Sequence, residues 1–265
     1  MRYRVSVLTL LLFIPVLLTA TPVPQTPAEA QEKPLYRSTG QEATLVGAIM
    51  VKGATPKPMT IDMFADPVCV QLNTKPQMKP FTANDSGLLN AFVYVTGEPL
   101  KTYRFDLPNS AVDLERVKCQ FIPRVVGVRV GQSMRFINSD PTIHNTHPTP
   151  ARNVEWNASQ MPGAEPLVKT FAREEALIPV KCNQHPWEKA YVGVMDHPFF
   201  AVSNELGNYE ISGLPPGTYK LVAWHEAFEE QQMEITLVAG ESRRIDFTFD
   251  VDKNLKTAWP HWEKR

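Results

Sequence analysis

The feature that most constrains this sequence is a repeated alternation of apolar and polar residues. In one example, Val126, Val128 and Val130 alternate with Gly127 and Arg129, which places the valines on one face of a β-strand. Beyond residue 20, no segment keeps the 3.6-residue period of an amphipathic helix over three turns. Proline, at 24 of 265 residues, further opposes long helices. The sequence therefore predicts an all-β protein.

Similar runs follow along the rest of the chain, separated by turn signals. The apolar members of these runs are Met134 and Phe136; Ile178, Val180 and Cys182; Met233, Ile235 and Leu237; and Ile245, Phe247 and Phe249. The turn signals lie at residues 131–132, 204–208, 214–217 and 239–241. So many short strands indicate two β-sandwiches in close contact.

The N-terminus has the pattern of an export signal. Arg2 and Arg4 precede an apolar run over residues 5–18, which is shorter than the roughly 20 residues of a membrane span. We expect residues 1–20 to be a signal peptide, with cleavage after Ala20 or alternatively after Ala30. An uncleaved N-terminal anchor is the other possibility. Either way, the folded part is predicted to be periplasmic or secreted. Residues 21–41, rich in Pro, Thr, Gln and Glu, are predicted to form a flexible linker.

Charge and short motifs exclude several function classes. The 27 basic and 28 acidic residues give a formal net charge of -1, so no basic excess points to a nucleic-acid partner. The sequence contains no His-Glu-x-x-His, Gly-x-Ser-x-Gly or phosphate-loop motif, and no catalytic residues are predicted.

Three cysteines in an exported chain leave at least one without a disulfide partner. Cys69 and Cys119 have no metal-ligating neighbours in sequence, whereas Cys182 stands beside histidines. A bridge between Cys69 and Cys119 would close a loop of about 50 residues, which stabilises by roughly 4 kcal/mol on the loop-entropy model. We therefore expect a Cys69–Cys119 disulfide and a free thiol at Cys182.

Candidate metal ligands are concentrated in residues 137–147 and 180–188. One thiolate and two imidazoles suit copper, and a His₂Cys set with a weak axial ligand is typical of electron-transfer sites. Cys182 and His185 are three residues apart, so a flat strand would send them to opposite faces. The chain must therefore turn at Cys182. A buried cysteine on an apolar row is ordinarily a small core residue, and the spacing to His185 is what favours a ligand.

The third ligand is predicted from the upstream segment. His144 lies 38 residues before Cys182, after the Asp140-Pro141 turn, and can come from the end of a neighbouring strand. His147 follows three residues later. On an extended segment it points away from His144, so we expect it beside the ligands rather than among them.

These residues resemble a plastocyanin-type cupredoxin over roughly residues 120–197. The pattern is Phe121-x-Pro123, Val128-x-Val130-Gly131, Phe136-x-Asn138, His144-Asn145 and Cys182-x-x-His185. The resemblance implies that His144, Cys182 and His185 are the equatorial ligands of one mononuclear copper ion. It also implies that the amide of Asn145 secures the ligand loop.

The resemblance breaks at the axial position. Plastocyanin-like sites place Met five residues after the loop histidine, where this chain has Ala190. Relatives with Cys-x-x-His-Pro-Trp carry Met where Glu188 stands. Three possibilities stay open: Glu188 is an axial carboxylate, as in red-copper cupredoxins; Met195 reaches in from further along; or the site has no strong axial ligand.

A second resemblance is to the carboxypeptidase-regulatory-like, or transthyretin-like, β-sandwich of exported bacterial proteins that carry such a copper site. The matching residues are Gly207-x-Tyr209-x-Ile211-x-Gly213-Leu214-Pro215-Pro216-Gly217-Thr218-Tyr219 and Ala223-Trp224-His225. Together the resemblances imply a cupredoxin-like Greek-key sandwich over 42–197, an Ig or prealbumin-like sandwich over 198–250, and a tail over 251–265. Residues 42–100 could instead pair with the C-terminal sandwich.

The implied function is that of an exported, non-catalytic copper protein that transfers electrons with a redox partner such as a cytochrome or an oxidoreductase. The main alternative is a secreted adhesion or carbohydrate-binding module with a vestigial metal site. A copper enzyme or a copper-storage protein is a third possibility.

Overall fold

The computed structural model describes residues 32–256, where nearly all regular structure is β-strand, as predicted. The predicted signal peptide, both of its predicted cleavage positions, residues 21–31 of the predicted linker and residues 257–265 of the predicted tail lie outside the described residues. Within the described range, the strands are β1 (Ala43–Lys52), β2 (Met59–Thr60), β3 (Gln77–Met78), β4 (Ala83–Asn84), β5 (Gly87–Leu88), β6 (Phe92–Thr96), β7 (Val112–Arg116), β8 (Phe121–Ile122), β9 (Val125–Arg129), β10 (Met134–Asn138), β11 (His144–Pro148), β12 (Ala158–Gln160), β13 (Leu167–Lys169), β14 (Glu175–Lys181), β15 (Lys189–Met195), β16 (Phe200–Val202), β17 (Asn208–Leu214), β18 (Gly217–His225), β19 (Phe228–Leu237), β20 (Ser242–Arg244) and β21 (Phe247–Asp250).

The helices in residues 32–256 are short: α1 (Pro67–Leu72), α2 (Glu98–Lys101) and α3 (Val251–Asn254). None of the described helices has the length and apolar character needed to cross a membrane.

The first sandwich carries the predicted ligands. A four-stranded sheet in the order β13-β10-β7-β8 packs against a five-stranded sheet in the order β12-β11-β14-β15-β9. Apolar side chains from both sheets fill the space between them, including Leu114, Val128, Phe136, Ile178 and Val192, which are fully buried. The turn at residues 131–132 joins β9 to β10 across the sandwich, so these strands lie in different sheets and face one core.

The second sandwich is built around β1. This strand pairs antiparallel with β17 and parallel with β20 and then β21, in a sheet that also contains β5 and β4. The facing sheet has the order β16-β6-β18-β19. The core between these sheets includes Leu45, Ile49, Val93, Leu221 and Phe247.

Four strands before residue 100, namely β1, β4, β5 and β6, share sheets with the C-terminal strands, the alternative that the sequence leaves open. β15 lies in the first sandwich and β16 in the second, so the sheets do divide near residue 197. β1 pairs with β17, however, and β6 pairs with β18, so the first sandwich does not begin at residue 42. The reason lies in the pattern of β6, which is apolar on both faces. Val93 and Val95 enter the second core, whereas Phe92 and Tyr94 face the first sandwich. Such a strand is stable only between two layers.

Glycines permit the close contact between the two sandwiches. A Cβ at Gly193 in β15 would lie 2.4 Å from the ring of Phe92, and one at Gly127 in β9 would lie 2.1 Å from the ring of Phe200. Because any side chain at these positions would displace an aromatic ring, glycine lets the two sheets pack directly.

Part of the predicted linker also packs on the fold. The backbone N–H of Arg104 donates to the carbonyl of Pro34 at 2.9 Å, and that of Tyr36 donates to Arg104 at 2.8 Å. The Tyr36 ring contacts Tyr103 edge-on, with ring centroids 5.2 Å apart. Residues 34–36 are therefore ordered by pairing, unlike the flexible linker predicted there.

Candidate metal centre

The predicted ligand residues come together at one end of the first sandwich. His144 opens β11, Cys182 directly follows β14, and His185 and Glu188 lie in the loop before β15. β11 and β14 are antiparallel neighbours, with His147 opposite Lys181, so His144 and Cys182 reach the same edge. The sequence argument that the chain must turn at Cys182 agrees with this loop.

Backbone hydrogen bonds give the loop its compact shape. The N–H of Glu188 donates to the carbonyl of His185 at 2.9 Å, and the N–H of Cys182 donates to the carbonyl of Glu188 at 3.4 Å. These bonds bring Cys182, His185 and Glu188 to one side of the loop.

The four side chains converge on one point. Each of His144, Cys182, His185 and Glu188 has a ligand atom within 4.8 Å of those of the other three, and all four residues are buried. The Nδ1 atom of His185 lies 3.6 Å from the Cys182 sulfur and 3.0 Å from Glu188 Oε1. The Nδ1 atom of His144 lies 2.8 Å from the same Oε1.

The outer edges of both imidazoles face carboxylates. His185 Nε2 makes a 3.2 Å hydrogen bond with Asp66 Oδ2. His144 Nε2 lies 3.2 Å from Asp140 Oδ2, although the pair is not aligned as a hydrogen bond. Carboxylates in these places favour a proton on Nε2 and turn the Nδ1 lone pairs inward.

A metal cation fits this donor set. Buried Glu188 Oε1 has no hydrogen-bond donor among the described residues, yet two nitrogen atoms and a sulfur lie around it. Buried acceptors need a donor or a cation. Four electron-pair donors facing one another are what a bound metal ion would satisfy, and a thiolate with two imidazoles suits copper.

The pKa values of the histidines and of Glu188 are shifted because these groups lie so close together. Burial alone would lower the pKa of His144, but contacts with Asp140, Cys182 and Glu188 raise it to about 10. Burial would likewise lower the pKa of His185, but contacts with Cys182 and Glu188 raise it to about 9. Burial would raise the pKa of Glu188, yet the histidines and Arg116 lower it to about 2.

The pKa of the Cys182 thiol is lowered, like that of the Glu188 carboxyl group. Burial would raise its pKa, but hydrogen bonds from His144 and His185 lower it to about 6. The thiolate is the form that binds metals.

Asn145 links β11 to the ligand loop. Its backbone N–H lies 3.4 Å from the Cys182 sulfur, and its side-chain oxygen accepts from the N–H of Asn183 at 2.7 Å. It therefore stands where the resemblance places a residue that secures the loop. His147 points away from the four ligand atoms, with Nδ1 2.9 Å from Asn183 Oδ1 and Nε2 2.6 Å from Glu155 Oε1.

Met195 is not at the site. It ends β15, six residues beyond Lys189, and a strand rises about 3.3 Å per residue, so it lies roughly 20 Å along the sheet from the loop. It packs with Phe92 and Val125 between the sandwiches. The structure therefore removes Met195 from the axial possibilities, because β15 carries it away from the loop.

Three charged residues at the site were absent from the predicted set. Asp66 precedes Pro67 and caps α1, accepting from the Val68 N–H at 2.8 Å, and Asp-Pro is a recognisable helix start. Asp140 accepts from the backbone N–H groups of residues 118 and 119. Arg116 is fully buried beside Glu188. The sequence feature that could have indicated a buried Arg116 is its inward position on β7, two residues after buried Leu114.

A segment formed by residues 59–78, here called the cover segment, packs over His185. Its Cys69 is bonded to Cys119, whereas Cys182 is a free buried thiol. The Cys69 sulfur lies 4.0 Å from His185 Nε2, and Trp187 packs beside the disulfide. His185 is consequently only 3% exposed.

Comparisons with known proteins give matches to two kinds of domain. A family model for the carboxypeptidase regulatory-like domain matches residues 183–250. Among solved structures, the chain is similar to a Cu-containing nitrite reductase from Thermus scotoductus SA-01, with 18% identity, a TM-score of 0.31, and coverage of 38% of this chain and 27% of that one. The chain thus spans about a quarter of the length of the nitrite reductase.

Two smaller copper-protein structures also match. Amicyanin from Paracoccus versutus is 18% identical, with a TM-score of 0.29 and coverage of 34% of this chain and 85% of that one. A purple cupredoxin from Nitrosopumilus maritimus is 17% identical, with a TM-score of 0.27 and coverage of 31% and 98% respectively. A comparison with curated sequences finds no significant match. At these identities and TM-scores, the structural matches bear on neither the ligands nor the activity.

Proposed function

We propose that this chain binds one copper ion through His144, Cys182 and His185, with Glu188 as the fourth ligand, and that it transfers single electrons. The observation that supports the proposal is the convergence of four buried ligand atoms within 4.8 Å of one another. Copper held there would supply a one-electron redox couple.

The role of the protein in this proposal is to keep the ligands fixed. Asp66 and Asp140 lie against the outer edges of the imidazoles, and Asn145 holds the cysteine end of the loop. Because these contacts come from several strands and a disulfide-linked segment, the ligands have little freedom to move. A site that moves little between oxidation states is suited to electron transfer.

Two features favour an electron carrier over a copper enzyme. All four converging groups are protein side chains, so they leave no obvious position for a substrate. The cover segment also leaves His185 only 3% exposed, which restricts the access of small molecules to the ligand atoms. We therefore assign no catalytic residue.

The disulfide supports the proposed location. The chain carries one disulfide, between Cys69 and Cys119, among the described residues. Disulfides persist in oxidising compartments, which is consistent with a periplasmic or secreted protein. In such a place the partner would be another redox protein, for instance a cytochrome or an oxidoreductase. A secreted adhesion module is the weaker alternative, because it has no need for ionisable groups buried around an unsatisfied carboxylate oxygen.

A metal titration tests the proposal. We expect the metal-free protein to bind one Cu(II) per chain and to develop an intense thiolate-to-copper absorption band. Cys182→Ser should remove the band, whereas His147→Ala should keep it. A closed site of four protein ligands is also compatible with structural zinc. Binding of Zn(II) with no copper–thiolate band would therefore contradict the proposal and indicate a zinc site.

A further inference from the structure

Arg116 is the largest fully buried side chain in the described part of the chain. It ends β7, and its guanidinium group is charged and sealed from water. Burying an unpaired charge is very costly, so each N–H group must find a partner. The identity of those partners indicates what the residue does.

The guanidinium group bridges the carboxylate and the strand that carries His144. Its Nε donates to Glu188 Oε2 at 3.2 Å, and its Nη2 donates to the carbonyl of Asn145 at 2.6 Å and to Thr146 Oγ1 at 2.8 Å. Its Nη1 donates to Gln160 Oε1 at 3.4 Å. The arginine thus ties Glu188 to β11 and β12.

The plane of the guanidinium group is also held in place. Its central carbon lies 4.1 Å from the centroid of the Phe121 ring, a distance at which the face of an aromatic ring attracts a cation. Gln160 is itself fixed, because its Nε2 donates to the carbonyl of Phe136 at 2.9 Å. The fork of donors therefore has one available orientation.

This arrangement distinguishes the two oxygen atoms of Glu188. Oε2 accepts from Arg116, whereas Oε1 has no donor and lies 2.8 Å and 3.0 Å from the Nδ1 atoms of His144 and His185. A carboxylate that rotates freely can present both oxygens to a metal ion. One that is anchored through Oε2 presents only Oε1.

We propose that Arg116 is a positioning residue that locks Glu188 so that a single oxygen faces the metal site. The inference rests on the proposed function for the identity of the metal, but the lock is already present in the metal-free chain. Arg116 thereby limits the site to four ligand atoms. Lysine cannot replace it, because an ammonium group lacks the planar fork that serves Glu188, Asn145 and Thr146 together.

A double-mutant cycle tests whether Arg116 acts through Glu188. The four proteins are the natural chain, Arg116→Met, Glu188→Met and the double variant, each loaded with Cu(II) and followed by electron paramagnetic resonance and absorption. We expect Arg116→Met to change both spectra when Glu188 is present and to change them little in the Glu188→Met background. Equal changes in the two backgrounds would overturn the proposal, since a merely structural role gives the same effect in both.

Arg116→Lys keeps the positive charge, so it tests the proposal even if Arg116→Met does not fold. We expect it to bind Cu(II) 10–100-fold more weakly than the natural chain, as is typical when an outer contact to a ligand is lost. The matched control is Arg129→Lys, which replaces another buried arginine that donates to the carbonyls of Asp106 and Asp196. Arg129 lies at the far end of β9, opposite Met195, so its replacement should leave affinity and spectra unchanged. An Arg116→Lys protein with natural affinity and spectra would contradict the lock.

Crystal structures of the metal-free natural chain and of Arg116→Lys separate this proposal from the copper assignment. We expect the Glu188 carboxylate to rotate away from its present orientation in Arg116→Lys. An unchanged carboxylate would overturn the lock, whatever metal the site binds. A rotated carboxylate in a protein without any copper–thiolate band would instead support the lock and contradict the proposed function.

Discussion

The Nδ1 atoms of His144 and His185 lie 2.9 Å apart, and the Nε2 atom of each ring lies 3.2 Å from a carboxylate oxygen. Two imidazole nitrogens at this distance repel each other when both carry lone pairs. A proton or a metal cation on the inner side removes that conflict. Metal binding and proton binding at this end of the sandwich are therefore competing events.

Copper binding should release protons. The pKa values of His144 and His185 are raised to about 10 and about 9, so the metal-free site holds a proton more tightly than a free imidazole does. We expect Cu(II) to displace at least one proton at pH 7, and its apparent affinity to rise as the pH approaches 9. Calorimetric titrations in two buffers with different ionisation enthalpies measure the number released. Binding without proton release would show that the histidines are not the ligands.

Replacement of Glu188 by Met should raise the reduction potential. A carboxylate is harder and more negative than a thioether, so it stabilises Cu(II) over Cu(I). A rise of even ~60 mV, about 1.4 kcal/mol for a one-electron couple, is readily measured by potentiometric titration. The absorption should move toward the pattern of blue copper sites.

Glu188→Gln provides the matched control for that substitution. Glu188→Met leaves the buried Arg116 without its carboxylate, whereas Gln keeps an acceptor of the same shape. Both variants should raise the potential if the charge of the carboxylate matters. An unchanged potential and spectrum in both would reject Glu188 as a ligand.

His144 and His147 should differ sharply in their importance. His144 is fully buried among the ligand atoms, whereas His147 contacts Asn183 and Glu155 at the surface. We expect His144→Ala to weaken copper binding by more than about 100-fold, beyond the range of an outer contact, and His147→Ala to weaken it far less. Competition titrations with a chelator measure both. Equal losses would contradict the assignment of His144.

The strand pattern predicted which residues converge at the candidate metal centre better than it predicted their surroundings. The inward row that ends at Cys182, together with the spacing to His185, indicated a turn and a ligand pair, and these residues do meet. Alternation identifies the buried face of a strand but not its neighbour in a sheet. The pairing of β1 and β6 with C-terminal strands was therefore left open.

The outer residues of the site were harder to predict. Asp66 is 78 residues from His144 in sequence, in a segment with no strand or helix period, and its position depends on the Cys69–Cys119 bridge. Arg116 stands at an inward position of β7, but an arginine there is as compatible with a strand end as with a buried ion pair. Only the three-dimensional contacts distinguish these cases.

Acid should destabilise the protein partly through His225. Burial lowers the pKa of this histidine to about 4, and its Nδ1 accepts from the N–H of Ala227 at 3.1 Å. The unfolded chain binds this proton near the ordinary pKa of about 6.5, whereas the folded chain resists it. The stabilisation is therefore fully present above pH 6.5 and is lost as the pH falls toward 4, by about 3 kcal/mol.

His225→Asn keeps an acceptor but does not titrate. We expect its free energy of unfolding in urea to fall less than that of the natural chain between pH 6.5 and pH 4.5, in metal-free samples. His197, whose pKa burial also lowers to about 4, is common to both proteins and cancels. Parallel losses in the two proteins would contradict this account. Copper binding should survive the substitution, because His225 lies in the second sandwich.

The cover segment makes the order of maturation matter. The disulfide ties α1 to the turn between β7 and β8, directly outside the ring of His185. While that bridge holds the segment closed, the segment lies against the outer side of the His185 ring, so we expect metal exchange to be slow. Loading would then be faster before the two cysteines are oxidised than after. Retention of the metal would accordingly be governed by the lifetime of the closed form as much as by equilibrium affinity.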